Sequence, residues 1–325
     1  MADVFAYLEG FGASGGSPNK STIIVTAPTG STVTCKMGST TKTATEKNGV
    51  WTFGGLDLGT WTITSTKGGD SATQDVAITR LTVEYVTIVY RITPEFAYTG
   101  DYEIVDDSDN PISDFASLKN NWKIRFLTSG TLTFTKLNGW NGQLDVFLVG
   151  GGGNGETIRG ARGGGGGYTK TVKGISIAIA TPYTVTIGAS SGTSSAFGAS
   201  ANGASGANGG SGGGGGGSSS GTPGNGGSNG GNGTAGDVSQ GGAGQGTTTK
   251  EFGESTGKLY SGGGGGSAAG AGAAGDYTAG AGANFGGAAK NGVANTGGGG
   301  GAAYSGTAGR GGSGIVIARN ARGAA

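Results

Sequence analysis

Carboxylates are the side chains in this sequence with the most capacity for chemistry. Asp106, Asp107, Asp109 and Asp114 form one group, and Asp237, Glu251 and Glu254 a second. Two carboxylates about 5–10 Å apart would suffice to cleave a polysaccharide. No spacing within either group recommends a pair, so solvated surface is the simpler expectation. Asp106-Asp107-Ser108-Asp109-Asn110-Pro111 also fails as a calcium loop, because Pro111 stands where a third oxygen ligand is needed. The chain has no histidine and one cysteine, Cys35. Ser-His-Asp and Cys-His nucleophile systems are therefore excluded, as are zinc sites of mixed Cys and His ligands. Matches to G-x-G-x-x-G lead into no helix-patterned segment, and Gly253 to Leu259 is one residue short of a phosphate loop, with Leu259 in place of the magnesium-binding hydroxyl. The expectation is a non-enzymatic protein with no catalytic residue, no metal and no cofactor.

Residues suited to binding are easier to find. Phe252, Tyr260, Tyr277 and Phe285, with Tyr304, are bulky rings set among glycines. Aromatic rings exposed on loops make good contacts to carbohydrate or protein. The plainer alternative is that each ring packs over the end of a glycine segment or at a subunit boundary. The first four are the candidate ligand contacts.

Composition divides the chain. Of 79 glycines in 325 residues, 16 lie in residues 1–149 and 63 in residues 150–325. With 13% charged residues and a net charge of +1, there is no basic footprint for nucleic acid. The stretch Val83 to Tyr90 is too short to span a bilayer, so no membrane insertion is expected. Met1-Ala2-Asp3-Val4-Phe5 has no cationic region leading into an apolar stretch, so the expectation is synthesis in the cytoplasm without a signal peptide.

Four regions must position the candidates. Residues 1–20 read as a flexible leader. From 21 to 91, short alternating runs separated by turns predict about seven strands and a small Ig-like β-sandwich acting as spacer or docking domain. The runs are Ile23 to Thr26, Thr32 to Met37, Lys42 to Glu46, those around Trp51 and Phe53 and around Trp61 and Ile63, Ala72 to Thr79, and Thr82 to Tyr90. Lys47-Asn48-Gly49 is a hairpin signal, and Val33, Cys35 and Met37 share a strand face. Residues 92–149 predict a second β unit, and 150–325 a glycine-rich domain with strand candidates Ile175 to Ile179 and Tyr183 to Ile187. Ile315-Val316-Ile317 is expected to pair with Asp145 to Val149, making the glycine region an insertion closed by one sheet.

The glycines have a period. From Gly203 to Gly236 every third residue is glycine except Ser218. Three residues per turn is the repeat of the polyproline II helix, whose backbone groups point outward and can bond neighbours where side chains are absent. Only Pro223 lies between Gly203 and Gly314, too little proline for collagen. The fold class expected is all-β, with a polyglycine II bundle of antiparallel helices enclosed by the second β unit.

Two resemblances follow from these residues. Ile24 to Pro28, Asn48 to Phe53 and Leu58 to Ile63 resemble the carboxypeptidase-regulatory-like β-sandwich family, which implies a spacer or docking module. Phe126 to Phe134, Val146 to Gly153, Gly163 to Tyr168, Tyr183 to Gly188 and Gly311 to Ile317 resemble the glycine-rich domain of bacteriophage tail proteins. That resemblance implies a tail-fibre or tail-tip component of the virion that adsorbs to a host cell-surface polysaccharide or protein through loops of the bundle. Its other partners would be further tail proteins. A homotrimer suits tail fibres, although a bundle can also close within one chain. A bacterial surface fibre, an ice-binding protein and a polysaccharide depolymerase are the alternatives.

Overall fold

A computed structural model describes residues 20–67, 70–88, 93–113, 121–138, 140–158, 160–214, 224–225, 249–267 and 271–322. The expected leader, most of the Gly203 to Gly236 frame, Asp114 and Asp237 lie outside these. The described chain is all-β, and it divides into two compact units, Met1–Ile92 and Thr93–Ala325.

The first unit contains β1 (Ser21–Thr26), β2 (Thr32–Met37), β3 (Thr40–Thr43), β4 (Val50–Leu56), β5 (Gly59–Lys67), β6 (Asp70–Ile78) and β7 (Val83–Thr87). They form two sheets, ordered β4-β1-β7 and β3-β2-β5-β6. Period-2 alternation drives this arrangement. Ile23 and Val25 of β1, Trp51 and Phe53 of β4, Val33 and Cys35 of β2, and Trp61 and Ile63 of β5 enter one shared core. The Asn48-Gly49 turn forms with both residues at positive φ, 52° and 75°, as a tight hairpin turn requires. The strand expected over Lys42 to Glu46 instead ends at Thr43, because Lys47 bridges Val50 across that turn.

The second unit contains β8 (Glu95–Tyr98), β9 (Tyr102–Val105), β10 (Lys123–Phe126), β11 (Gly130–Lys136), β12 (Gln143–Val149), β13 (Thr169–Ser176), β14 (Pro182–Val185), β15 (Ser194–Ala196), β16 (Ala199–Ala201) and β17 (Ile315–Asn320). Its main sheet has the order β13-β12-β17-β10-β9, and a second sheet has the order β14-β11-β8. The terminal Val/Ile run pairs as expected, with Phe147 opposite Ile317 and Val149 opposite Ile315. β17 is buried along its whole length and β12 from Leu144 onward, which explains their near-continuous apolar runs. Phe147, Val149, Ile315 and Ile317 pack against Phe252 and Tyr260. The strand expected over Ile175 to Ile179 stops at Ser176, and Ala180 turns the chain at φ 59°.

Between β12 and β17 the glycine segments belong to neither helix nor sheet, yet their backbone bonds are ordered. The Gly163 and Gly166 N–H groups donate to Gly214 and Ser211. Those of Gly164 and Gly167 donate to Gly300 and Gly297, and those of Gly165 and Tyr168 to Gly206 and Asn202. Successive residues thus bond three different neighbours, and each neighbour recurs every third residue. Neighbours run in both directions, not only antiparallel. Gly300 and Ala303 bond Gly153 and Glu156 in parallel, while Gly309 and Gly312 bond Gly301 and Gly298 antiparallel. Three neighbours can be bonded at once because such a segment offers groups all round its axis, whereas a strand offers them only along two edges.

Candidate functional site

The register of the main sheet places Lys123 of β10 beside Arg319 of β17, and Arg319 beside Asp145 of β12. Two neighbouring cations repel, so the row is stable only with acids around it. A tight loop over residues 249–260 supplies them. The Glu251 N–H donates to the Lys258 carbonyl, and the Tyr260 N–H to Thr249. At its turn Phe252 takes the left-handed conformation, φ 55°. That strain is offset by burial of its ring, which packs against Phe147 and under the Arg319 guanidinium at 3.9 Å.

The result is a charged cleft of about 640 Å³, lined among others by Asp107, Asp109, Lys123, Glu251, Glu254 and Arg319. Lys123 Nζ donates to Asp109 Oδ1 at 2.6 Å and to Glu251 Oε1 at 2.9 Å. Arg319 reaches Asp145 at 3.4 Å and Glu254 at 2.5 Å, and Arg322 pairs with Asp107. Lys258 lies 3.8 Å from Asp109 Oδ2. Burial pulls the Lys123 ammonium down, but Glu251 and Asp109 outweigh it and leave its pKa above the ordinary value. The hydrogen bond from Arg319 holds Glu254 below the usual carboxylate range.

Four of the carboxylates weighed for glycoside cleavage, Asp107, Asp109, Glu251 and Glu254, therefore meet in one cleft, although they are far apart in sequence. Each of them faces a cation. A glycosidase acid needs its pKa raised, and Glu254 shifts the other way. Asp106 stands apart, accepting N–H bonds from Ser108 and Asn110 in its own turn. Lys123, Lys258, Arg319 and Arg322 carried no signal in the sequence, since only the sheet register and the loop bring them together.

The aromatic candidates separate into two kinds. Phe252 and Tyr260 are 2% and 0% exposed, so they form core beneath the main sheet and not contacts on a surface. The Val/Ile face of β12 and β17 needs cover, and these rings provide it. Tyr277 and Phe285 are 56% and 79% exposed. The Tyr277 hydroxyl donates to the Leu259 carbonyl at 2.6 Å, and desolvation of that end of an otherwise exposed ring, with Asp276 nearby, pushes its pKa up to about 12. Tyr277 therefore sits beside the 249–260 loop, near the sheet. Phe285 lies at the other end of the segment that follows, with its ring 5.3 Å from that of Tyr304. Ala303 bridges both Thr157 and Ala283 there, which brings exposed Ile158 to the same level.

An all-β unit in which paired strands β12 and β17 flank backbone-bonded glycine segments defines the class, and comparison with known proteins agrees. The glycine-rich domain family matches residues 127–321, more than half of the sequence, and the chain belongs to that family. No curated protein matches it. A crystal structure of a DUF3823 family protein from Bacteroides ovatus ATCC 8483 is similar at 12% identity, over 56% of this chain and 94% of that one. Its TM-score of 0.19 carries no argument about fold or function.

Proposed function

We propose that the glycine segments form a polyglycine II bundle, and that the chain is a non-enzymatic adhesive component of a phage tail fibre or tail tip. The observation that carries the bundle is the three-directional, period-three bonding of Gly163 to Tyr168. A polyproline-II-like helix has three residues per turn and leaves its backbone groups free for neighbours. The tail assignment is supported by the resemblance of the strand–glycine junctions to those of phage tail proteins. The main sheet anchors one end of the bundle, and the loops carrying Ile158, Phe285 and Tyr304 stand at the other. Rings held on a rigid support avoid much of the ordering cost of binding. The expected ligand is a cell-surface polysaccharide or protein of the host.

The test is binding of the purified, labelled chain to a panel of bacterial strains. Saturable binding to a subset is expected, and replacing Phe285 and Tyr304 together with alanine should weaken it about tenfold or more, the scale of an aromatic hot spot. Binding to no strain would defeat the adhesive reading. Binding untouched by the double variant would remove these loops from it.

A further inference from the structure

The Lys123 side chain is 6% exposed, and its Nζ lies 2.6 Å from Asp109 Oδ1 and 2.9 Å from Glu251 Oε1, the latter side chain 5% exposed. A structural ion pair needs one carboxylate. Here an amine and a carboxyl are held in contact with a second, buried carboxylate touching the same nitrogen. We propose that Lys123 and Asp109 condense to an intramolecular isopeptide bond, with Glu251 carrying the protons.

The chemistry balances within the three residues. Moving one proton along the 2.6 Å hydrogen bond converts ammonium and carboxylate into amine and acid, with no change in net charge. The amine nitrogen then attacks Asp109 Cγ. Negative charge develops on Oδ2, which faces Lys258 at 3.8 Å. Glu251 takes a proton from the nitrogen and returns it to Oδ1. The Cγ–Oδ1 bond breaks, one water leaves, and the amide remains. No oxidant, reductant or cofactor takes part.

Placement favours the reaction. Asp109 is fixed at φ 63° by a turn whose Asp106 carboxylate accepts the N–H groups of Ser108 and Asn110. Lys123 is fixed in β10, hydrogen-bonded on both sides by β9 and β17. Groups held this way react with high effective molarity. With one cysteine in the sequence the chain can form no internal disulfide, and an amide cross-link would fasten the β9–β10 connection regardless of redox conditions.

Mass measurement on the denatured full chain decides it. The wild type is expected to be lighter than its sequence by one water, whereas Lys123→Arg, which keeps the charge but cannot form the bond, has its full mass. Trypsin should then yield residues 92–119 joined to residues 120–125, with cleavage blocked at Lys123. Glu251→Gln should lower the cross-linked fraction, and Asp109→Asn should lose ammonia in place of water. Because mass is read in denaturant, the wild-type result stands even if a variant folds poorly. Full mass in the wild type, or a branch from Lys123 to any carboxyl other than Asp109, overturns the proposal.

Discussion

Substituting Gly164 by alanine tests the packing of the glycine region most directly. An added Cβ would lie 2.0 Å from the Gly153 carbonyl oxygen, whereas real Cβ atoms do not come within 3.0 Å of such an atom. The two segments must therefore separate by at least 3.0 minus 2.0, or 1.0 Å. At least three backbone bonds are affected, among them Gly164 to Gly300, Gly264 to Gly164, and Gly153 to Gly165. At about 1 kcal/mol net each they contribute roughly 3 kcal/mol, and overpacking adds about 1–3 kcal/mol. The expected loss is roughly 4–6 kcal/mol, exceptional for one methyl group. Gly286→Ala is the control. Nothing lies within 4 Å of its Cβ position, and its φ of 75° leaves only the left-handed penalty, about 1 kcal/mol. Hydrogen exchange read by mass spectrometry over residues 163–168 is the assay, with roughly a thousandfold faster exchange expected for Gly164→Ala. Equal effects of the two substitutions would refute the claim that these backbones touch.

Three further outcomes are expected. Tyr260→Ala should destabilise the second unit by about 3–5 kcal/mol, because its ring is fully buried against Phe147. A urea titration checks this, and a loss below about 1 kcal/mol would show that the ring is dispensable. Burial raises the Cys35 thiol to about 11, so a thiol reagent at about pH 8 should label it only as fast as the first unit opens; immediate labelling of native protein would contradict this. Glu254 has a folded pKa below its ordinary 4.5 through the Arg319 hydrogen bond, so it stabilises the fold above that value and the benefit disappears as pH falls through the folded pKa. Glu254→Gln should therefore lose less stability than wild type between about pH 5 and the acid limit, measured as urea midpoints.

Much of the fold was legible because strand alternation is a local property. Trp51 with Phe53, and Trp61 with Ile63, name their buried face in any small β-sandwich. Ile315-Val316-Ile317 named its need for a partner, since such a run after so much glycine must be covered. The strand ends were less legible. Lys42 to Glu46 and Ile175 to Ile179 were cut short by turns at Asn48-Gly49 and Ala180, where backbone conformation overrode apolar pattern.

The sequence by itself determined the all-β character, the step in glycine content, and the absence of histidine-based chemistry, because these follow from residue type and short-range spacing. It also supplied the list of rings and carboxylates. Only the tertiary structure decided which were inside. Phe252 and Tyr260 became core, and Tyr277 and Phe285 stayed exposed, since burial depends on which face of the sheet lacked cover. Asp109, Lys123 and Glu251 met only through a loop folding back over 128 residues of sequence. No local pattern encodes that meeting; pairing of β10, β12 and β17 creates it.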